Sequence, residues 1–369
     1  DLTLDELRSA YHAVVLACGA PHHRALSIPG EALPGSLGAD QVVGWYNGTP
    51  QYADLPLNPA CRSVAIIGNG NVALDVARIF AKSQSELEST DITSRALAAL
   101  KASTIETIYI IGRRGPVQAS FTSGELHEFE QLSGFAPVAD ADDFTLDAAC
   151  HAELERLDVQ RKRAYDVLQK FATIRDSSKR GTIRFLFCKS PVEILGETAV
   201  QGIRLAPNIL LAGDSGLRAV PSGEPPTDLP VEIVVRSIGY VARPLEGMPF
   251  DSRSHTAENE HGRVMEQGRP VPGLYAAGWI QYGAKGLIGA SKKAAAGTAQ
   301  ALLADRGGLP TPSADAQTGV RDLLSRRGIR IVTWSDWKRI DAAECAAGSE
   351  RGKPREKLTS VDEMLSCLD

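Results

Sequence analysis

Ser63-Val64-Ala65-Ile66-Ile67-Gly68-Asn69-Gly70-Asn71-Val72-Ala73 decides the fold of this chain. The first five residues read as a buried strand, and a G-x-G-x-x-A turn follows at once. Val72, Val76, Ile79 and Phe80 then recur at helical spacing as far as Lys82. Strand, glycine turn and amphipathic helix in that order form the phosphate-binding end of a dinucleotide fold. Gly68 permits the tight turn and Gly70 the close approach of a pyrophosphate to N–H groups at a helix N-terminus. Ala73, in place of a third glycine, still lets the helix lie near the strand. A glycine turn serving packing alone is the alternative, and the flanking strand and helix argue against it.

The next strand, Ile105-Glu106-Thr107-Ile108-Tyr109-Ile110-Ile111, ends on Gly112-Arg113-Arg114. At this position an acidic residue would grip the ribose 2′-hydroxyl of NAD. Two guanidinium groups suit a cluster of phosphate oxygens instead, so Arg113 and Arg114 point to NADP. An isolated Arg-Arg would read as a solvated surface pair; one at a strand terminus does not. Residues 83–103 form a polar insertion with a second helix, which stretches the usual spacing of about 20 residues to the ribose-reading position.

Outward from this centre, Leu4 to Ala10 reads as a helix and Ala13 to Ala17 as a buried strand closing on Cys18-Gly19-Ala20. Asp147 to Ala172 reads as one amphipathic helix carrying Leu157, Ala164, Leu168 and Phe171. Strands are expected at Ile183–Phe187, Val192–Ile194 and Val231–Val235. Another finishes at Gly278-Trp279, before the glycine loop 283–289 that opens a helix from about Ala290 to Leu303.

A length of 369 residues suggests two domains, and 34 glycines with near-balanced charge describe a globular α/β protein. The net charge of −5 argues against nucleic-acid binding, without excluding a local basic patch. No apolar run reaches the roughly 18–20 residues that cross a bilayer. The six cysteines contain no C-x-x-C, which excludes the usual zinc spacing and a vicinal redox dithiol and favours free thiols in a reducing compartment. Asp1 reads as an internal starting point, with no signal segment.

The block GRRGPVQASFT (112–122) resembles the signature of the NADPH:adrenodoxin/ferredoxin reductases, mitochondrial and bacterial. GNGNVALDVARI (68–79), VVGWYNGTP (42–50), TDITS (90–94), the loop after Gly278-Trp279 and GKPREKL (352–358) resemble that family too, over nearly the whole chain. The resemblance implies an α/β protein of two Rossmann-like domains, with an NADP domain (19–239) inserted into an FAD domain formed by 1–18 and 240–369. It implies that the backbone of Asn69, Gly70, Asn71 and Val72 holds the NADP pyrophosphate. Arg113 and Arg114 would hold the 2′-phosphate, with Glu125 at the nicotinamide end as the catalytic-site carboxylate. Trp279, Gly286, Leu287 and Ile288 would lie at the FAD, Gly286 also near the nicotinamide. A glycine loop opening a helix suits that place, since its positive end faces the flavin edge that gains negative charge on reduction.

The implied activity is hydride transfer from NADPH to FAD, followed by single electrons to a [2Fe–2S] ferredoxin. Such partners are acidic, and Arg161-Lys162-Arg163 is the candidate docking run, with Lys179-Arg180 nearby in sequence. Three consecutive helical residues fan over about 200°, so they cannot all face one partner. The chain departs from the family where His127 replaces an arginine and where 281–286 reads QYGAKG. The family's N-terminal FAD-binding segment, about a hundred residues, has no counterpart here. A disulfide reductase is disfavoured because no cysteine pair exists to relay electrons. The alternative is a non-catalytic NADP-binding protein or fragment lacking flavin. Bacterial cytoplasm is the expected compartment, or the mitochondrial matrix for a eukaryotic protein.

Overall fold

Strand, turn and helix form where the sequence reading puts them. The computed structural model describes residues 1–174, 178–213, 216–286, 288–312 and 319–369. These cluster into two units, 23–238 with 338–369, and 1–22 with 239–337.

The larger unit is built on a six-stranded, all-parallel sheet. Its strands are β1 (Ser36–Gly38), β2 (Ser63–Ile67), β3 (Thr107–Ile111), β4 (Phe135–Ala139), β5 (Gly181–Leu186) and, after an antiparallel excursion, β10 (Ile233–Arg236). Their spatial order is β1-β10-β2-β3-β5-β4, with Val64 of β2 paired to Ile233 on one side and Ile108 on the other. The strand order therefore reverses beside β2, and the crevice at such a reversal is where open α/β sheets bind ligands.

Side chains of β2 alternate between two cores. Val64 and Ile66 join Ile108, Ile110 and a helical layer, while Ala65 and Ile67 join Ile194, Val200, Ile203 and Leu205. Burial on both faces explains why β2 is an unbroken apolar run. The helical layer includes α1 (Ala39–Asn47), α2 (Asn71–Ala81), α3 (Ser123–Glu130) and α5 (Val159–Phe171). In α2 the expected Val76 and Phe80 are fully buried, but Val72 and Ile79 are only half-buried; Ala73, Leu74 and Ala77 complete the inner face.

The other face of the sheet carries strands in place of helices. They are β6 (Lys189–Leu195), β7 (Gly202–Gly213), β8 (Gly216–Pro221) and β9 (Thr227–Leu229), all antiparallel about β7. The expected single helix over 147–172 is two, α4 (Ala148–Arg156) and α5, broken at an extended Leu157. Asp158 makes the break, its carboxylate accepting the Arg161 N–H at 2.9 Å as an N-cap.

The smaller unit holds a second sheet, in which Val14–Leu16 lies parallel to β13 (Arg269–Ala276). β13 pairs antiparallel with β12 (Arg263–Glu266), and that strand with β11 (Asn259–Glu260). Helix α6 (Ile288–Asp305) belongs to this unit.

The tail, 338–369, groups with the larger unit. The cause is a polar knot joining three stretches singled out in the sequence. Lys353, buried, donates to the Ile92 carbonyl at 2.6 Å and to Glu356 at 2.9 Å. Glu356 in turn accepts from the Ser94 N–H and hydroxyl, and Lys357 reaches Asn47 and Asp91. All six cysteines are free thiols, and no described helix is long and apolar enough to cross a membrane.

Candidate dinucleotide site

At the end of β2 the chain turns through Gly68, whose φ is 137°. A Cβ there would stand 2.1 Å from the Ser237 carbonyl oxygen, so glycine is required by the fold itself. Gly70 is different. It is the N-cap of α2 in an extended conformation, it makes no side-chain cap, and a Cβ on it would meet only Ser120 Oγ at 3.7 Å. Packing does not demand glycine at 70, and the helix end beside it is uncapped, an arrangement that suits the approach of an anion.

The loop after β3 runs alongside. Ser120 donates to the Asn69 carbonyl from both its N–H (2.9 Å) and its hydroxyl (2.7 Å). Asn71 and Thr122 exchange two hydrogen bonds, at 3.2 and 2.9 Å. Asn69, Gly70, Asn71 and Val72 are thus held against the segment that carries the two arginines.

The backbone at Arg113 and Arg114 is fixed by the antiparallel layer. The Asn208 amide donates to the Arg113 carbonyl at 2.9 Å, and the Cys188 N–H to the Arg114 carbonyl at 3.1 Å. The side chains are not so occupied: among the described residues neither guanidinium has a hydrogen bond or ion pair. Arg113 is exposed and Arg114 half-buried. Burial first, then the charges of Arg113 and Arg161, push the pKa of Arg114 down, against the pull of Glu153. Positive charge thus exceeds negative at this spot, and among the described residues no carboxylate pairs directly with either guanidinium, the electrostatics that suit an anion. The structure thereby brings Arg161, the first of the docking candidates, to the arginine pair.

Glu125, on the first turn of α3, is not free. Its Oε2 lies 2.9 Å from the guanidinium of Arg78, on α2, but out of line for a hydrogen bond, so that enclosed oxygen has ionic contact without a donor. Arg78 also contacts Asp75 and Glu128, each at 2.6 Å. Sequence reasoning passed over Arg78, although a cation near the apolar side of an amphipathic helix was a visible signal.

Of the docking run, Arg161 and Arg163 are exposed, whereas Lys162 folds back to donate to the Glu155 carbonyl at 2.7 Å. In the smaller unit Trp279 starts a short helix after Gly278 (φ 72°) and stacks on Tyr240, ring centroids 6.2 Å apart. Gly283 and Gly286 have φ of 86° and 76°, left-handed values that glycine adopts without strain. Leu287 lies outside the described residues; Ile288 is the first residue of α6, and its side chain lies outside the description too.

Residues 2–110 match the family described as pyridine nucleotide-disulphide oxidoreductase. The human mitochondrial NADPH:adrenodoxin oxidoreductase is 43% identical over 383 residues, covering 100% of this chain and 76% of the human protein. The NADPH-ferredoxin reductase FprA of Mycobacterium tuberculosis is 38% identical, over 98% of this chain and 79% of its own length. The solved structure of that FprA in complex with NADPH superposes with a TM-score of 0.91 at 38% identity, covering 99% of this chain and 81% of the other. With its uncapped glycine turn, unpaired arginines and this level of identity, the chain belongs to the family of NADPH:adrenodoxin and NADPH-ferredoxin reductases.

Proposed function

We propose that this protein is an FAD-dependent ferredoxin–NADP reductase. The observation that carries the reading is the pair of unneutralised guanidinium groups, Arg113 and Arg114, beside the bare N-terminus of α2. The arginines recognise the 2′-phosphate as planar donors, and the N–H groups at the start of α2 meet the pyrophosphate with the positive end of the helix. Glu125 stands at the nicotinamide end, where its carboxylate orients the carboxamide. Trp279, Gly286 and the backbone at Ile288 hold the flavin in the smaller unit, the start of α6 giving partial positive charge. Held there, FAD would supply the chemistry that links hydride donation by NADPH to single-electron delivery to an iron–sulfur partner. The larger unit is the NADP domain and the smaller one the flavin domain.

Flavin absorbance on the purified protein, its bleaching by NADPH, and cytochrome c reduction through added ferredoxin test the assignment. A colourless protein that binds NADPH without turnover would replace it with a binding protein.

Two further outcomes follow from the geometry. Gly70→Ala should leave the melting temperature nearly unchanged, since the protein has room for the methyl, yet weaken NADP+ by about tenfold or more by displacing a charge-assisted hydrogen bond. Calorimetric titration and thermal melting of the same sample check both halves. The docking surface on α5 reduces to Arg161 and Arg163, because Lys162 is engaged. Arg163→Glu should raise the KM for an acidic ferredoxin about threefold to tenfold at low salt, less at high salt, with the KM for NADPH constant. A shift in the NADPH value instead would remove Arg163 from docking.

A further inference from the structure

Two clips join α2 to α3. At the start of α2, the Asn71 amide and Thr122 exchange hydrogen bonds at 3.2 and 2.9 Å. Farther along, Arg78 leaves the same helix and reaches Glu125 at 2.9 Å and Glu128 at 2.6 Å, both on α3, while Asp75 of its own helix closes the cluster at 2.6 Å. The Arg78 side chain is only 16% exposed. Burial works against its charge, but its hydrogen bond to the Asp75 carboxylate and the charges of Glu125, Glu128 and Asp75 outweigh it and hold its pKa up. A planar fork with several donors can serve three carboxylates at once; a lysine ammonium, a point charge on a flexible stem, cannot hold the same geometry.

The enclosed Glu125 oxygen sharpens the point. It has a cation beside it and no hydrogen bond to fix its direction, so its position depends on the helix that carries it and on the guanidinium against it. We propose that Arg78 is a positioning residue, which holds the Glu125 carboxylate at the nicotinamide end by clipping α3 to the pyrophosphate-binding helix. The proposal rests on the assignment of Glu125 to that end of the NADP site. The Arg78 guanidinium is occupied by three carboxylates, so its role is to transmit the place of one half of the dinucleotide site to the other.

The test compares two ligands on the purified holoprotein: NADP+, which spans both halves, and 2′-AMP, which carries the phosphate without the nicotinamide. Arg78→Met and Glu125→Gln should each weaken NADP+ about tenfold, as small misplacements at a reacting group do, and leave 2′-AMP within about twofold. The double variant should be no weaker than either single one, because both remove the same placement. Arg78→Lys keeps a cation in the cluster and should fall nearer Arg78→Met than the native protein; it also carries the measurement if the methionine variant does not fold. In steady-state assays the effect should divide between a higher KM for NADPH and a lower kcat, with the KM for ferredoxin unmoved.

Equal weakening of both ligands by Arg78→Met would make Arg78 a merely structural residue and overturn the proposal. So would unchanged NADP+ affinity in Arg78→Met and Arg78→Lys beside a weakened Glu125→Gln, leaving the Glu125 assignment in place. Unchanged NADP+ affinity in Glu125→Gln would remove that assignment and the proposal with it.

Discussion

Replacing Arg113 and Arg114 together by alanine is expected to abolish the preference for NADPH over NADH. Each guanidinium stands just beyond β3 without a direct ion pair among the described residues, and Arg114 is half-buried. A hydrogen bond to a charged group contributes about 1.5–3 kcal/mol, so loss of the pair should cost roughly 3–5 kcal/mol for the phosphorylated cofactor. At about 1.4 kcal/mol per factor of ten, kcat/KM for NADPH should fall ~10²- to 10³-fold. The value for NADH should change by less than about threefold, since no 2′-phosphate is there to lose. Stability should move the other way. Burial and the neighbouring charges of Arg113 and Arg161 press against the charge on Arg114, so the ligand-free variant should melt no lower than the native protein. The rise in melting temperature on adding NADP+ should vanish. Arg62→Ala is the matching control: its guanidinium is already paired with Glu106 on an exposed surface, and removing it should leave the cofactor preference unchanged. A double variant that still selects NADPH would take away the main support for the function.

The fold around the candidate dinucleotide site was legible because its signals are local. A strand buried on both faces must be apolar throughout, the turn at Gly68 admits no Cβ, and the arginines follow directly on β3. What escaped the sequence depends on contacts between distant residues. Lys353, Glu356 and Ser94 meet only in the folded chain, so TDITS and GKPREKL were visible as separate motifs and not as one polar knot. The antiparallel layer was half seen. β7 carries Pro207, and its far half is exposed, with Ile209 and Leu211 facing solvent, so the alternation that marks a half-buried strand is lost there. The break between α4 and α5 was missed because Leu157 fits the apolar periodicity, whereas the competing N-cap at Asp158 is worth more to the backbone than one further turn. Arg78 went unremarked for a related reason. A charge on an amphipathic helix reads as solvent-facing until the carboxylates that bury it are known.

The second large effect is expected on stability, at a pair that shapes the far wall of the same turn. Arg236, at the end of β10, is 9% exposed and bonds Glu31 at 2.7 Å; its Nε donates to the Leu37 carbonyl at 3.3 Å. Glu31 also accepts the N–H groups of Leu26 and Ser27, at 2.8 and 2.7 Å, and so ties the loop before β1 to the sheet. The next residue, Ser237, donates its N–H to the Ile67 carbonyl at 2.8 Å and presents the carbonyl that leaves Gly68 no room for a Cβ. Arg236→Met should therefore cost about 3–5 kcal/mol, the usual penalty for leaving one member of a buried pair uncompensated. Glu31→Gln, which keeps an acceptor, should cost less. The pH dependence separates the charge from the packing. Burial alone would raise the pKa of Glu31, but Arg236 and the two N–H groups outweigh it and hold the value below the usual carboxylate range. The ionised carboxylate thus contributes fully above the unfolded value of about 4.3, and its contribution is lost as pH falls through the lower folded value. The stability gap between the native protein and Glu31→Gln should accordingly be constant from pH 8 to about 6 and close as acid is added below about 4. Urea unfolding read by amide exchange in β10 follows this unit alone. A gap that persisted unchanged into acid would show that Glu31 acts through shape and hydrogen bonding, not through its charge.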